Sequence, residues 1–116
     1  METVKVAAIQ MNCIADDKKS SINKAISMLY KGIEMGAKLL ALPELFYLDY
    51  YQLRKRDQNI FKLAEPIPGQ TTDVFSEIAK SNNIYIVCPI FEKTSRARAK
   101  IRPFFKSKSN HILIII

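Results

Sequence analysis

The segment that decides the fold is KLLALPELFYLDYY, residues 38–51. Its apolar run, residues 39–42, predicts a buried strand, and the strand is expected to end at Pro43 because proline cannot donate to a ladder. Glu44 is then the first charged residue after the strand. Four aromatic residues follow it closely: Phe46, Tyr47, Tyr50 and Tyr51. The sequence on both sides of this segment decides whether Glu44 is a site residue or a solvated loop residue.

A strand and a helix are predicted before this segment. VKVAAIQM, residues 4–11, is a short apolar run that is typical of a mostly buried strand. Apolar residues then recur at intervals of three and four, which predicts an amphipathic helix with this inward face: Ile22, Ala25, Ile26, Leu29 and Ile33. Gly36 is placed to end that helix. Four residues are candidates for its N-cap: Asp16, Asp17, Ser20 and Ser21.

A second helix and a third strand are predicted after it. Residues 50–65 are weakly helical at best, and EPIPGQ (65–70) is a turn. TTDVFSEIAKSN (71–82) predicts a helix capped by Thr71 or Thr72, with four residues facing inward: Val74, Phe75, Ile78 and Ala79. NIYIVCPIFE (83–92) predicts an apolar strand. Strands that are apolar on both faces and alternate with helices predict an α/β fold with a parallel, helix-covered sheet.

The positive charge is confined to the end of the chain. The 116 residues fit one domain, 48% of them are hydrophobic, and the formal net charge is +7. Residues 1–92 hold 11 basic and 11 acidic side chains, whereas residues 93–116 hold seven basic and none acidic. Residues 93–116 are therefore a different kind of sequence from residues 1–92.

Three explanations of residues 93–116 remain open. The segment is a basic arm for nucleic acid or anionic lipid, a solvated terminus with one poor strand, or the product of a shifted reading frame or a retained intron. The sequence favours the third explanation, because the ending is limited largely to Lys, Ser, Asn and Ile. Its last six residues, HILIII, are far fewer than the roughly 20 that a membrane-spanning helix needs.

The two cysteines predict neither a metal site nor a disulfide framework. Cys13 and Cys88 lie far apart and lack metal-ligand spacing. Both are expected to be core thiols of a reduced, cytoplasmic protein. The N-terminus lacks the basic start and continuous apolar core of a secretory signal, and no cofactor is predicted.

Glu44 has two interpretations on residues alone. Reactive groups gather at the carboxyl ends of strands in open parallel sheets, and Glu44 stands at such an end. The aromatic residues around it are either apolar walls that raise a carboxylate pKa for general-base work or ordinary core. The plainer alternative is that Glu44 is an acidic loop residue in water.

Residues 4–92 resemble the N-terminal part of a carbon–nitrogen hydrolase of the nitrilase superfamily. Three segments carry the resemblance, in order: VKVAAIQMNC, INKAISMLYKGIEMGAKLLALPELF and AEPIPGQTTDVFSEIAKSNNIYIVCPIFE. GAKLLALPELF is the most specific piece, because it joins the glycine, the strand and Pro-Glu in one register. The resemblance is nearest to the amidase branch that includes N-carbamoylputrescine amidase and β-ureidopropionase.

The resemblance implies the N-terminal part of a four-layer α-β-β-α sandwich, incomplete in this chain, and a Glu-Lys-Cys triad. Glu44 matches the general base, and Tyr50 matches a tyrosine near the substrate pocket. Leu48 and Asp49 depart from the glycine-containing turn common at that point. The triad lysine and cysteine have no match. Lys106 and Lys108 stand at the wrong distance from His111 and too close to Glu92, and neither Cys13 nor Cys88 matches the nucleophile.

The sequence therefore predicts two parts and one principal function. Residues 1–92 are expected to be the N-terminal part of a hydrolase domain, and residues 93–116 a non-family tail. The parental reaction would hydrolyse a small amide, carbamoyl compound or nitrile, and the chain alone is expected to be inactive. The alternative is a non-catalytic module whose basic tail contacts nucleic acid or anionic lipid, which ranks lower. Homo-oligomerisation or docking on a full-length paralogue is also open.

Overall fold

The computed structural model of the chain describes the backbone of residues 2–49, 51, 55, 58–93, 99–106 and 112–114, and the side chains of 2–49, 51, 55 and 61–93. Within these residues eight elements follow one another: strand β1 (Val6–Ala8), helix α1 (Lys18–Glu34), strand β2 (Leu39–Ala41), a 3₁₀ helix (Gln58–Leu63), helix α2 (Gln70–Asn82), strand β3 (Tyr85–Lys93), strand β4 (Ala99–Lys106) and strand β5 (Ile112–Ile114). The α/β class is therefore confirmed, and β1 and β2 are shorter than predicted.

One sheet of mixed direction contains the five described strands in the order β1-β2-β3-β4-β5. β1, β2 and β3 are parallel, with Val6 opposite Leu39 and Leu39 opposite Tyr85. β4 is antiparallel to both β3 and β5. The prediction of a parallel sheet is thus correct for β1, β2 and β3. The direction changes at β3, because only five residues separate β3 from β4 in the chain, too few for the crossover that a parallel neighbour needs.

Helix α1 begins and ends as its sequence predicts, but its buried face is displaced. The Asp17 carboxylate caps the helix by accepting hydrogen bonds from the Ser20 amide (2.9 Å) and hydroxyl (2.8 Å). Gly36, with φ of 88°, ends it in the left-handed region that glycine tolerates. The predicted isoleucines of the helix are only half-buried. The fully buried residues lie beside them and are mostly small: Ser21, Ala25, Leu29 and Gly32. Small residues let the helix lie close to the sheet.

Helix α2 has its N-cap two or three residues before the predicted threonine caps, Thr71 or Thr72. Gly69 is its N-cap, and the Thr72 hydroxyl oxygen accepts a hydrogen bond from the Gly69 amide at 2.7 Å. Phe75, Ile78 and Ala79 are buried as predicted, whereas Val74 is 38% exposed. The prediction for Val74 was wrong because the contact face of the helix is centred on Phe75.

Gly69 occupies a position with no room for a side chain. A Cβ atom there would overlap the carbonyl oxygen of Pro66, which belongs to the turn leading into α2. Gly69→Ala is therefore expected to lower the free energy of unfolding by about 1–3 kcal/mol, measured by urea unfolding. Glu77→Ala, on the exposed surface of α2, is the control and should change it by less than about 0.5 kcal/mol. Equal stability of Gly69→Ala and the unsubstituted protein would contradict this reading of the turn.

The two faces of the parallel strands are covered unequally. On one face Leu40 and Ile86 are almost fully buried, and α1 lies against it, since a Cβ at Gly32 would touch Leu40 and Ala7. On the other face, which we call the open face, six residues are exposed or half-buried: Val6, Ala8, Leu39, Ala41, Tyr85 and Val87. Apolar residues thus occupy both faces, while α1 covers one of them.

The open face is expected to drive self-association, because contiguous apolar surface favours burial against another protein. The monomer fraction of the purified chain, measured by size-exclusion chromatography with light scattering, should fall as protein concentration rises. Val6→Lys, at a position 62% exposed on this face, should increase that fraction. Met35→Lys is the matched control, since Met35 is 71% exposed after the end of α1. A chain that stays monomeric at every protein concentration would contradict this expectation.

The sheet continues past the boundary predicted after Glu92. β4 pairs with β3 over eight residues, from Lys93 opposite Ala99 to Ile86 opposite Lys106. The favoured explanation of the tail did not predict regular structure in residues 99–106, because the apolar and basic residues there show no clear period; only the second explanation allowed one poor strand. Lys108 and His111 lie outside the described residues, and the origin of residues 93–116 stays a prediction. Across the described ranges, no helix combines the length and apolar character needed to cross a membrane.

Candidate active site

Glu44 lies at the carboxyl ends of two neighbouring parallel strands. β2 ends at Ala41, three residues before Glu44, and the segment that leaves β1 runs beside it. The exposed Glu44 side chain borders a pocket of about 350 Å³. The lining residues come from the two segments that follow β1 and β2: Met11, Asn12, Cys13, Ala15, Glu44, Leu45, Leu48 and Asp49. The prediction that Glu44 stands at this edge of the sheet agrees with this geometry, and its role as a base stays a prediction.

A tight turn, residues 44–47, presents Glu44 to the pocket. Leu45 adopts a positive φ of 57°, and the Leu48 amide donates to the Leu45 carbonyl oxygen at 3.2 Å. A left-handed leucine costs about 1–2 kcal/mol, so the surrounding structure must hold the turn. Burial of the residues after Glu44 does so: Leu45, Phe46, Tyr47 and Leu48 are each at most 7% exposed.

Phe46 and Tyr47, the first two aromatic residues after Glu44, are core residues rather than pocket wall. Phe46 makes edge-on contacts with Tyr47 (4.9 Å between ring centroids) and Phe75 (5.7 Å). The Tyr47 hydroxyl oxygen accepts a hydrogen bond from the Phe91 amide at 2.8 Å, and burial raises the tyrosine pKa above its ordinary value. Tyr51 is 62% exposed, and Tyr50 lies outside the described residues. Leucine and methionine supply the apolar part of the described pocket lining instead.

The two cysteines occupy different environments. Cys88 is 1% exposed in the core, as predicted. Cys13 is half-buried and lines the Glu44 pocket, so its assignment as a core thiol was wrong. The segment that leaves β1 places Cys13 there, beside Asp49. Burial raises the pKa of Cys13, and the Asp49 carboxylate raises it further because a negative charge disfavours the thiolate.

Asp49→Asn is expected to accelerate alkylation of Cys13 by iodoacetamide at pH 8 by about two- to threefold. Loss of the carboxylate lowers the thiol pKa, so more thiolate is present at a fixed pH. Mass spectrometry of the peptide that contains Cys13 measures the rate, and buried Cys88 is the internal control. Asp73→Asn, which removes an acid from the exposed surface of α2, should leave the rate unchanged. An unchanged alkylation rate in Asp49→Asn would show that the Asp49 charge does not affect the Cys13 thiol.

Glu65 is a buried acidic residue whose role sequence reasoning missed. Its carboxylate accepts hydrogen bonds from the Thr71 amide (2.9 Å) and hydroxyl (2.7 Å), and it pairs with the Lys18 ammonium at 2.6 Å. The Lys18 ammonium also donates to the Leu63 carbonyl oxygen at 2.9 Å. Local sequence gave no signal for this pair, because Lys18 and Glu65 lie 47 residues apart.

The described side chains contain no group of three or more His, Cys, Asp or Glu residues arranged to hold a metal ion. A carboxylate beside a small cavity is suited to transfer a proton to or from a bound molecule.

Comparison of sequences identifies the family. The sequence model of the carbon-nitrogen hydrolase family matches residues 5–110. The chain is 35% identical over 92 residues to a nitrilase of Pyrococcus abyssi, covering 78% of this chain and 34% of that protein. It is 32% identical over 87 residues to the omega-amidase NIT2 of Mus musculus, covering 75% and 29%. The chain thus spans about a third of the length of these relatives. The family match runs past Glu92, and the predicted division there stays a prediction.

Solved structures show the same fold. The carbon-nitrogen hydrolase of Helicobacter pylori G27 superposes with a TM-score of 0.82 at 17% identity, over 97% of this chain and 38% of that one. Saccharomyces cerevisiae Nit3, of the nitrilase superfamily, superposes with a TM-score of 0.74 at 22% identity, over 94% and 41%. The sheet and helices of this chain are therefore an incomplete portion of the hydrolase fold. With the family match over most of its length, the chain belongs to the carbon-nitrogen hydrolase family.

Proposed function

We propose that Glu44 is the general base of a hydrolase that cleaves a non-peptide carbon–nitrogen bond in a small molecule. The observation that carries the proposal is the position of Glu44 at a pocket on the carboxyl edge of parallel strands, where ligands bind in open α/β sheets. Membership of the family supports the same assignment, since the family match covers Glu44 and the segment GAKLLALPELF, residues 36–46, resembles the family's stretch that contains the general base.

In this mechanism Glu44 takes the proton of a cysteine thiol, and the thiolate attacks the carbon of an amide, carbamoyl group or nitrile. For an amide, the carbon–nitrogen bond breaks, the amine leaves with the proton held by Glu44, and water hydrolyses the thioester. A lysine stabilises the oxyanion. We assign neither partner to residues 1–92. Cys88 is buried, and neither Cys13 nor Cys88 matches the position of the family's nucleophile.

An amide is the substrate class that the relatives favour. The names omega-amidase and nitrilase recur among them, and both kinds of enzyme attack a carbon bonded to nitrogen. The sequence resemblance to the carbamoyl-hydrolysing branch leaves N-carbamoyl compounds as the second class. Tyr50 is proposed as a substrate-binding residue, because it matches a tyrosine that the family has near its pocket.

A chimeric enzyme tests the proposal. Residues 5–93 replace the matching segment of the mouse omega-amidase, which supplies a lysine and a cysteine from its own chain. The purified chimera is expected to release ammonia from a panel of small amides. A folded chimera that hydrolyses none of them would overturn the proposal. The unmodified 116-residue chain is expected to release none above the buffer rate.

The alternative, binding of nucleic acid or anionic lipid through residues 93–116, has less support. Residues 99–106 carry three of the basic residues and are paired with β3 along their length. A salt titration decides it, because binding through basic residues weakens steeply as salt rises. Binding that is absent, or insensitive to salt, would exclude this alternative.

A further inference from the structure

A closed circuit of four contacts includes Tyr47, the last residue of the turn that presents Glu44. The Phe91 amide donates to the Tyr47 hydroxyl (2.8 Å), and the Phe91 carbonyl accepts from the Glu65 amide (2.9 Å). The Glu65 carboxylate holds the Lys18 ammonium (2.6 Å), and that ammonium lies 4.7 Å from the centroid of the Tyr47 ring. Tyr47 is therefore held at its hydroxyl by β3 and at its ring face by Lys18.

The position of Lys18 is not explained by the helix that contains it. Lys18 is the first residue of α1, where the partial positive charge of a helix N-terminus disfavours a cation. Its side chain is 24% exposed and that of Glu65 is 9% exposed, so both charges are partly withdrawn from water. An ammonium within about 6 Å of a ring centroid is attracted to the ring face. Glu65 and Tyr47 together offset the unfavourable helix position.

We propose that Lys18 and Glu65 are positioning residues, which orient Glu44 by fixing Tyr47 at the end of its turn. Tyr47 closes the four-residue turn that Glu44 opens, and Leu45 between them holds a costly left-handed conformation. Release of the Tyr47 ring lets Leu45 relax and turns Glu44 away from the pocket. The catalytic meaning of this orientation rests on the proposed function, but the protection of the turn that holds Glu44 can be measured without any hydrolysis.

Hydrogen exchange of the full chain, followed by mass spectrometry, tests the proposal. In Lys18→Met, exchange in the peptide covering residues 42–49 should rise roughly tenfold, while residues 22–34 of α1 keep their protection. Lys18→Arg should restore the protection, because arginine keeps both the ion pair and the contact with the ring. Lys19→Met, which removes the neighbouring exposed lysine, is the matched control and should exchange like the unsubstituted chain.

Glu65→Gln is the second variant, because Lys18→Met leaves the Glu65 charge unpaired. Glutamine keeps an acceptor for the Thr71 amide but removes the charge that holds Lys18 over the ring, so the same local rise is expected. Unchanged exchange in residues 42–49 in both variants would overturn the proposal. An equal rise in residues 22–34 would also overturn it, because Lys18 and Glu65 would then stabilise the fold as a whole. Neither result depends on whether Glu44 acts as a base.

Discussion

Replacement of Glu44 by glutamine in the omega-amidase chimera should lower kcat by roughly 10²–10⁴-fold. Glutamine has nearly the same shape as glutamate but cannot accept the thiol proton, so the nucleophile stays a poorly reactive thiol. Because Glu44 is exposed, the free energy of unfolding should change by less than about 0.5 kcal/mol. Steady-state release of ammonia from a small amide, with urea unfolding of the same preparation, measures both quantities.

The matched control is Glu77→Gln in the same chimera. Glu77 is an exposed glutamate of α2 and does not line the Glu44 pocket, so kcat and KM should keep their values. A Glu44→Gln chimera that retains half of the starting kcat would refute a proton-transfer role. A rise in KM with unchanged kcat would refute it as well, because a base acts on the chemical step.

Phe46→Ala should lower the free energy of unfolding by about 3–5 kcal/mol. The Phe46 ring is 1% exposed and packs edge-on against Tyr47 and Phe75, so it joins the Glu44 turn to α2. Its loss leaves a cavity between buried rings that neighbouring side chains fill only in part. Urea unfolding followed by circular dichroism measures the change, which is a large share of the stability of a domain of this size.

Phe61→Ala makes the same chemical change at a position that is 47% exposed. It should cost no more than about 1 kcal/mol, because much of that ring already contacts water. Equal losses at the two positions would mean that the Phe46 ring is not buried in solution. A larger loss of unfolding free energy in Phe46→Ala than in Phe61→Ala therefore tests whether the turn that presents Glu44 is packed as described.

Local patterns in the sequence predicted the elements that depend on local causes. The cap at Asp17 and the stop at Gly36 were among the predicted ends of α1, because both act within one turn of the helix. The edge position of Glu44 was predicted from the strand and the proline before it. The α/β class followed from the alternation of strands and helices.

Features that depend on residues distant in sequence were missed. Strand β4 owes its register to β3, with Pro103 opposite Pro89, and no periodicity within residues 93–116 indicated that pairing. The burial of Glu65 requires Lys18, which lies on a different element. The position of Cys13 in the pocket arises where the segments after β1 and β2 meet. In each case the environment of the residue is determined by tertiary contacts, which cannot be predicted from its neighbours in the sequence.

The change of strand direction at β3 implies an order of assembly. Lys93 pairs with Ala99 close by in the chain, whereas Tyr85 pairs with Leu39 across the whole of α2 and the segments before it. Closing a long loop costs entropy before any contact offsets it, so local pairings form sooner than distant ones. During synthesis, β1 and β2 leave the ribosome early and must wait for β3 before the sheet can grow across them. The strands that carry the Glu44 pocket are thus the ones that depend on a partner made later.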